Sequence, residues 1–243
     1  MNIAIVLYPG FTALDVLGPY EVLKMLPGVD LRFVAKTPGP IATDRGILIV
    51  GATHSFDETL NPDLVLVPGS EAQTGVAAGD GALSKWLCSV HDGTRITASI
   101  CSGAVILAAS GLLKNKPATT HWAAMDPLKR LGAKPQPSER IVRSGKVWTA
   151  AGVSAGIDLA FALVEELFDR ETAERIQLMI EYDPQPPQNA GHMDKANEAV
   201  SAAARAEMAR LSRNPMNGVA VGKVVWRKAL DKARKTSRRR FTA

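Results

Sequence analysis

Two cysteines occur in the 243 residues, and one of them stands where its thiol is set up for nucleophilic attack. In the window Ile96-Thr97-Ala98-Ser99-Ile100-Cys101-Ser102-Gly103-Ala104 an apolar run ends at Ile100 and gives way to small residues. Small residues at 102–104 let the backbone turn sharply from strand to helix, the layout of a nucleophile elbow. Such a turn exposes Cys101 at the C-terminal end of its strand, where open α/β sheets place their ligands. A helix N-terminus behind the sulfur favours the thiolate through its dipole and free N–H groups, so the expectation is a lowered thiol pKa. Free cysteine is otherwise among the most buried residue types, and only the flanking turn argues for reactivity. Cys88 falls in a helical stretch without glycine-rich flanks and reads as structural.

A nucleophile of this kind needs an acid. The segment Tyr8-Pro9-Gly10-Phe11-Thr12-Ala13-Leu14-Asp15-Val16-Leu17-Gly18-Pro19 puts Asp15 in apolar surroundings at the start of a helix. A carboxylate is costly to bury without a partner, and burial raises its pKa. Asp15 therefore has two readings: an acid complementing the dipole of the first turn, or a proton donor facing Cys101 from a neighbouring strand. Val67-Pro68-Gly69-Ser70 follows another apolar run, and the N–H groups of Gly69 and Ser70 either form an oxyanion-type pocket or belong to an ordinary turn. Thr119-Thr120-His121-Trp122 supplies a histidine before a helix. His121 is then a base partner for Cys101, a substrate-binding group or a hydrogen-bonded structural residue.

The elements that must position these groups follow from the periodicity. Short apolar runs at 3–8, 31–35, 64–67 and 96–100 alternate with stretches of helical period, the pattern of βαβ units. The runs are continuous rather than alternating, which implies strands covered on both faces. The fold class is α/β, a flavodoxin-like doubly wound, mainly parallel sheet carrying a nucleophile-elbow cysteine. Helices are expected over 14–26, 82–91, 103–109, 122–131, 155–167 and 170–181, with Asp80 and Thr120 as N-caps. Hairpins are expected around 42–50 and 141–149, the second turning at Ser144-Gly145. Residues 182–191 are too rich in proline for a helix and read as a loop or linker, and 195–211 reads as an amphipathic helix. The domain plan is an α/β domain over 1–192, a helix over 193–213 packing on the domain or on a dimer partner, and a basic, flexible tail over 214–243.

Composition narrows the classes. The chain is 46% hydrophobic, 22% charged and 5% aromatic, which suits a soluble domain with a full core. Its formal net charge of +5 raises the question of nucleic acid, so the placement of the charge matters. From Asn214 onward there are nine Lys/Arg and one acid, which leaves 20 Lys/Arg and 23 Asp/Glu before it. The body is mildly acidic, and nucleic acid is expected to meet at most the tail, weakly. The opening apolar run has no basic flank or cleavage site, no stretch of about 20 apolar residues occurs, and four scattered histidines give no metal spacing. A cytoplasmic protein without membrane contact or a bound metal is expected.

Several separated motifs together resemble the DJ-1/PfpI superfamily (class I glutamine-amidotransferase-like) and, within it, the isonitrile hydratases. They are the 10–19 segment with Asp15, Val67-Pro68-Gly69, Ile100-Cys101-Ser102-Gly103, Ala118-Thr119-Thr120-His121-Trp122, Ala151-Gly152-Val153-Ser154-Ala155-Gly156-Ile157-Asp158 and Glu181-Tyr182-Asp183-Pro184-Gln185-Pro186-Pro187. The last is the more hydratase-like signature; most of the others also resemble the sensor domain of AraC-type regulators, whose DNA-binding unit would not fit in the residues after Gly191. The resemblance implies a homodimer acting on an isonitrile without any cofactor, through Cys101 as nucleophile, Asp15 as acid and Ser102 orienting the sulfur. N–H groups around Gly69, Ser70, Gly152 and Val153, with His121, would hold substrate or water. Other activities of the superfamily, on α-oxoaldehydes, and a non-enzymatic sensor role are the alternatives. Ser102 stands where the peptidase and chaperone branch carries histidine and the hydratases a threonine, and Gln188 stands where an aromatic is more familiar.

Overall fold

In the computed structural model, which describes residues 1–213 and 222–226, the apolar runs become adjacent strands of one sheet. The chain begins with β1 (Asn2–Val6), α1 (Ala13–Leu23), β2 (Asp30–Ala35), a small hairpin of β3 (Gly39–Ala42) and β4 (Ile49–Ala52), β5 (His54–Ser55) and β6 (Leu64–Val67). It continues with α2 (Thr74–Gly79), α3 (Gly81–His91), β7 (Ile96–Ser99), α4 (Gly103–Ala109), β8 (Pro117–Ala118), a 3₁₀ turn (Trp122–Ala124), α5 (Met125–Arg130) and β9 (Lys134–Pro135). β10 (Ile141–Ser144), β11 (Val147–Ala150), α6 (Ala155–Leu167), α7 (Arg170–Met179) and α8 (Glu198–Leu211) complete it.

The seven-stranded sheet has the order β10-β11-β7-β6-β1-β2-β5. All its pairings are parallel except β10 with β11. Every residue of β6 and β7 is buried, as continuous apolar runs require of a sheet covered on both faces. α1 packs against α6, and α2 and α3 pack against α4. This is the flavodoxin-like α/β fold. The chain leaves β1 for β2 on one side and later returns to β6 on the other, so the crevice between β1 and β6 is the topological switch point where such sheets bind ligands. The loops after β11, β7 and β6 carry Gly152, Cys101 and Gly69, and α1, which follows β1, carries Asp15, in that spatial order. β1 and β7 are not neighbours, contrary to the sequence reading; β6 lies between them.

Other local differences have identifiable causes. The helix expected over 122–131 breaks into the 3₁₀ turn and α5, because Pro127 lacks an N–H and is tolerated only in a first turn. Thr120 caps no helix; the ring Nδ1 of His121 accepts the Ala123 N–H instead, at 3.3 Å. Asp80 does cap α3, accepting from the N–H groups of Ala82 and Leu83. α1 and α7 stop earlier than expected, and Glu181 beyond α7 has a left-handed φ of 52°. The first hairpin sits outside the 42–50 window at both ends, while the second turns at Gly145 as expected. α8 starts at an Asn197 cap and has no buried residue; its Arg205 lies 5.9 Å from the Trp122 ring centre. The tail expected over 214–243 lies outside the described residues except for a helical turn at 222–226, where Val224 is buried.

The entry into α4 leaves no room for a side chain. A Cβ on Gly103 would stand 2.2 Å from the Val67 carbonyl oxygen and 2.9 Å from that of Pro68, which is fixed backbone. Gly103→Ala is therefore expected to cost about 3 kcal/mol in urea unfolding or to prevent folding, since overpacking against backbone cannot relax by a rotamer change. An unchanged midpoint would show that β6 and the elbow do not approach so closely.

Candidate active site

Cys101 follows β7 with φ at 54°, a left-handed conformation that costs a non-glycine residue about 1 kcal/mol or more and is held only by its surroundings. Three hydrogen bonds hold it. The Ile100 N–H reaches the Val67 carbonyl at 3.0 Å, the Cys101 N–H reaches the Ala151 carbonyl at 2.9 Å, and the Thr120 hydroxyl donates to the Cys101 carbonyl at 2.7 Å. The elbow is thus pinned between the ends of β6 and β11. The thiol is buried, with 6% of the residue exposed, where the sequence reading expects it exposed.

Asp15 enters from α1 and is fully buried. Its Oδ2 accepts the Gly69 N–H at 2.7 Å, a bond across 54 residues that the first-turn reading does not anticipate. Its Oδ1 is buried and has no partner meeting hydrogen-bond geometry, while the Cys101 thiol beside it acts as a weak hydrogen-bonding neighbour. Burial raises the carboxyl pKa from 3.8 to about 7, opposed by the Gly69 N–H and assisted by the charge of Asp44. A buried acid that holds its proton near neutrality is a competent donor.

Burial also pushes the Cys101 thiol well up, and the Asp15 charge adds to this, so the lowered pKa expected from the helix N-terminus is overturned by desolvation. Against it act the N–H groups of Val153 and Ser102 and the Ser102 hydroxyl. The two acids are coupled: with the proton on Asp15, one of the influences disfavouring the thiolate disappears. The carboxyl therefore gives up its proton first, near neutrality, while the thiol keeps its own.

The expected oxyanion donors have other work. The Gly69 N–H is engaged by Asp15, and the Ser70 N–H donates to Ser102 Oγ at 3.0 Å, so these amides position the two side chains instead of facing a ligand. Gly69 must be glycine, because a Cβ there would lie 2.5 Å from both N and Oγ of Ser102. Ser102 Oγ also lies 2.6 Å from Thr74 Oγ1 and 3.2 Å from the Ser70 carbonyl. On the far side the Val153 N–H meets the sulfur, where the resemblance would have it hold substrate or water. Gly152 admits the His121 ring, whose Cδ2 would be 2.6 Å from a Cβ there. Burial lowers the His121 pKa, and with Nδ1 accepting from Ala123 the neutral ring carries its proton on Nε2. No hydrogen bond joins His121 to Cys101 among the described residues, so the base-partner reading finds no geometric support.

Three further residues escape the sequence reading. The Tyr8 hydroxyl donates to the Pro68 carbonyl at 2.9 Å, and its buried phenol is held neutral by burial and by the nearby Asp15 and Cys101. Thr74 braces Ser102, and Thr120 braces the elbow. The hydroxyl of Tyr8 at the end of β1 is the one signal that would have pointed inward; threonines give none. The hydratase-like segment after α7 is tied to α6 by the Tyr182 hydroxyl, which donates to Asp158 Oδ1 at 2.6 Å. Among the described residues no His, Cys, Asp and Glu side chains cluster as metal ligands, and no helix is long and apolar enough to cross a membrane.

The raised pKa of Asp15 has a consequence for stability. Between about pH 4 and 7 the folded protein keeps a proton that the unfolded chain has lost, so stability falls as pH rises through that window. The rise from 3.8 to about 7 is equivalent to at most about 4 kcal/mol. Asp15→Asn, which keeps an acceptor for Gly69 but cannot ionise, is expected to match wild type in urea unfolding at pH 4 and to exceed it by up to that amount at pH 8. A variant less stable than wild type at pH 8 would contradict this.

Known proteins share this arrangement of chain and sheet. Residues 1–166 match the model of the DJ-1/PfpI family. An isonitrile hydratase of Pseudomonas putida is 38% identical over 84% of this chain and 89% of its own. The HTH-type transcriptional regulator CdhR of Pseudomonas aeruginosa is 28% identical over 70% of this chain but only 52% of its own. The crystal structure of a THiJ/PfpI family protein from Pseudomonas syringae superposes with a TM-score of 0.84 at 36% identity, covering 92% of this chain and 90% of that one. By sequence and by fold, this chain belongs to the DJ-1/PfpI family.

Proposed function

We propose that the protein is a cofactor-independent cysteine enzyme, a carbon–nitrogen hydro-lyase that hydrates an isonitrile to an N-substituted formamide. The observation that carries the reading is the buried Asp15 carboxyl, protonated near neutrality and beside the Cys101 thiol. The 38% identity to an isonitrile hydratase supports it. An isonitrile's terminal carbon accepts a nucleophile once a proton is delivered to it, which is what a thiolate and a neighbouring acid supply.

Having handed its proton to the Asp15 carboxylate, the Cys101 sulfur attacks the terminal carbon while Asp15 delivers that proton to the same carbon, giving a thioimidate. Asp15, now a carboxylate, takes a proton from water as the water oxygen adds to that carbon. The tetrahedral adduct collapses with loss of the thiolate; one water proton has returned to Asp15 and the other ends on the formamide nitrogen. Ser102 and the Val153 N–H hold the sulfur through these steps, and Gly152 with the His121 Nε2–H borders the space for substrate and water. Ser102 in place of a histidine leaves Asp15 as the proton carrier, which argues against peptide hydrolysis. The same reading makes the protein a cytoplasmic homodimer, for which the exposed Leu14, Ile47 and Ile49 offer apolar surface.

Incubation of the purified protein with cyclohexyl isonitrile is expected to give N-cyclohexylformamide, followed by chromatography and mass spectrometry. Cys101→Ala should abolish turnover, and Asp15→Asn should lower kcat by about 10²–10⁴-fold, the usual share of a general acid. Absence of formamide, or equal turnover by Cys101→Ala, would refute the reading; lactate from methylglyoxal without formamide would point to α-oxoaldehyde chemistry.

A further inference from the structure

α8 meets the body of the protein by one face only. Ser201, Ala204, Met208 and Leu211 are half-buried, and every other residue of the helix is exposed. Their spacing of three and four residues puts these four on a single face, which carries no charge. With about 3.6 residues per turn, Arg205 and Glu207 flank that face, one on either side. The Arg205 guanidinium carbon stands 5.9 Å from the centre of the Trp122 ring, within reach of a cation–π contact. On the other flank Glu207 lies in the field of Arg45, whose guanidinium pairs with Glu71 at 3.3 Å. The start of the helix is fixed by the Asn197 cap, which accepts the Val200 N–H at 2.9 Å, and by the His192 ring, 3.4 Å from the Pro137 carbonyl. α8 therefore passes between Trp122 and the Arg45–Glu71 pair, with its half-buried face toward the space that separates them.

Both walls of that space lead down to the nucleophile. The Trp122 ring centre is 5.0 Å from that of His121, the His121 ring lies against Gly152, and the N–H of the next residue, Val153, meets the Cys101 sulfur. On the other side Glu71 follows Ser70, whose N–H donates to Ser102 Oγ at 3.0 Å, and Thr74 Oγ1 lies 2.6 Å from the same oxygen. The Cys101–Ser102 elbow is the floor between the two walls. We propose that α8 is the outer wall of the substrate pocket, with Ala204 and Met208 set against an apolar N-substituent of the isonitrile. The inference rests on the reading of the protein as an isonitrile hydratase. An isonitrile is linear at nitrogen, so a substrate whose terminal carbon meets the sulfur points its substituent straight away from the elbow, toward α8. Ala204 leaves room there, and the flexible thioether of Met208 adapts to the shape it meets. The charges of Arg205 and Glu207 stay on the flanks, so the helix offers the substituent an uncharged surface.

The test compares wild type with Met208→Ala, Ala204→Phe and Ala206→Phe, the last on the outward face of the helix. No residue of α8 is fully buried, so the substitutions leave the core of the domain untouched. Alkylation by iodoacetamide and by the bulkier N-phenylmaleimide is followed on the Cys101 peptide by mass spectrometry; the ratio of the two rates cancels the thiolate fraction and reads access. Met208→Ala should raise the rate of the bulky reagent relative to the small one several-fold, Ala204→Phe should lower it, and Ala206→Phe should match wild type. In turnover, Ala204→Phe should lower kcat/KM for cyclohexyl isonitrile relative to methyl isonitrile by about 10-fold or more, the range for a hydrophobic pocket that loses the room of a methylene or more. Alkylation ratios that do not change, a change as large in Ala206→Phe, or equal losses for the two isonitriles would overturn the inference. The alkylation ratio needs no isonitrile, so it decides the place of α8 even if no formamide forms, which separates failure of this inference from failure of the proposed reaction.

Discussion

The site depends on the desolvation of two acids side by side. Neither the Asp15 carboxyl nor the Cys101 thiol has enough water to ionise freely; the Asp15 charge disfavours a thiolate, while the hydrogen bond from the thiol favours the carboxylate. The hydrogen bond from the Gly69 N–H to Asp15 Oδ2 keeps the carboxyl from leaving this arrangement. That single contact joins the loops after β1 and β6 across the switch point of the sheet. Ser102 repeats the device on the other acid, binding the Ser70 N–H and bracing the loop that carries Gly69. The turn after β6 is consequently a bracket between nucleophile and acid, which explains why it tolerates no Cβ at Gly69.

Such an arrangement trades stability for chemistry. The strained φ of Cys101, the buried Oδ1 of Asp15 without a hydrogen-bond partner, and the thiol held above its ordinary pKa are each unfavourable locally. They persist because rigid strands on both sides hold the elbow: β6 through the Val67 carbonyl and β11 through the Ala151 carbonyl. A parallel sheet delivers all four loops to one edge, so a few residues suffice to complete a site whose surroundings are already fixed.

Much of this was legible in the sequence. Continuous apolar runs identify strands buried on both faces, and the small residues at 102–104 mark the elbow, because close backbone approach leaves few residue choices. Asp15 stood out for the opposite reason: a charge in an apolar segment calls for an explanation. What was not legible is which groups would meet. The Gly69 and Ser70 amides look available in the sequence and are taken up by side chains 54 and 32 residues away. Thr74 and Thr120 act through contacts between loops, and nothing in their local sequence distinguishes them from ordinary turn residues. The thiol was misjudged because the helix dipole is visible from sequence while the depth of burial is not, and burial is the larger effect here.

The raised pKa of the buried acid is most directly tested by following the Asp15 side-chain carboxyl carbon by NMR in selectively ¹³C-labelled protein from pH 4 to 10, with Cys101→Ala as the reference for the uncoupled acid. A midpoint near 7 in wild type that moves when Cys101 is removed is the expected result. A midpoint near the ordinary value for aspartate, unaffected by Cys101→Ala, would contradict it.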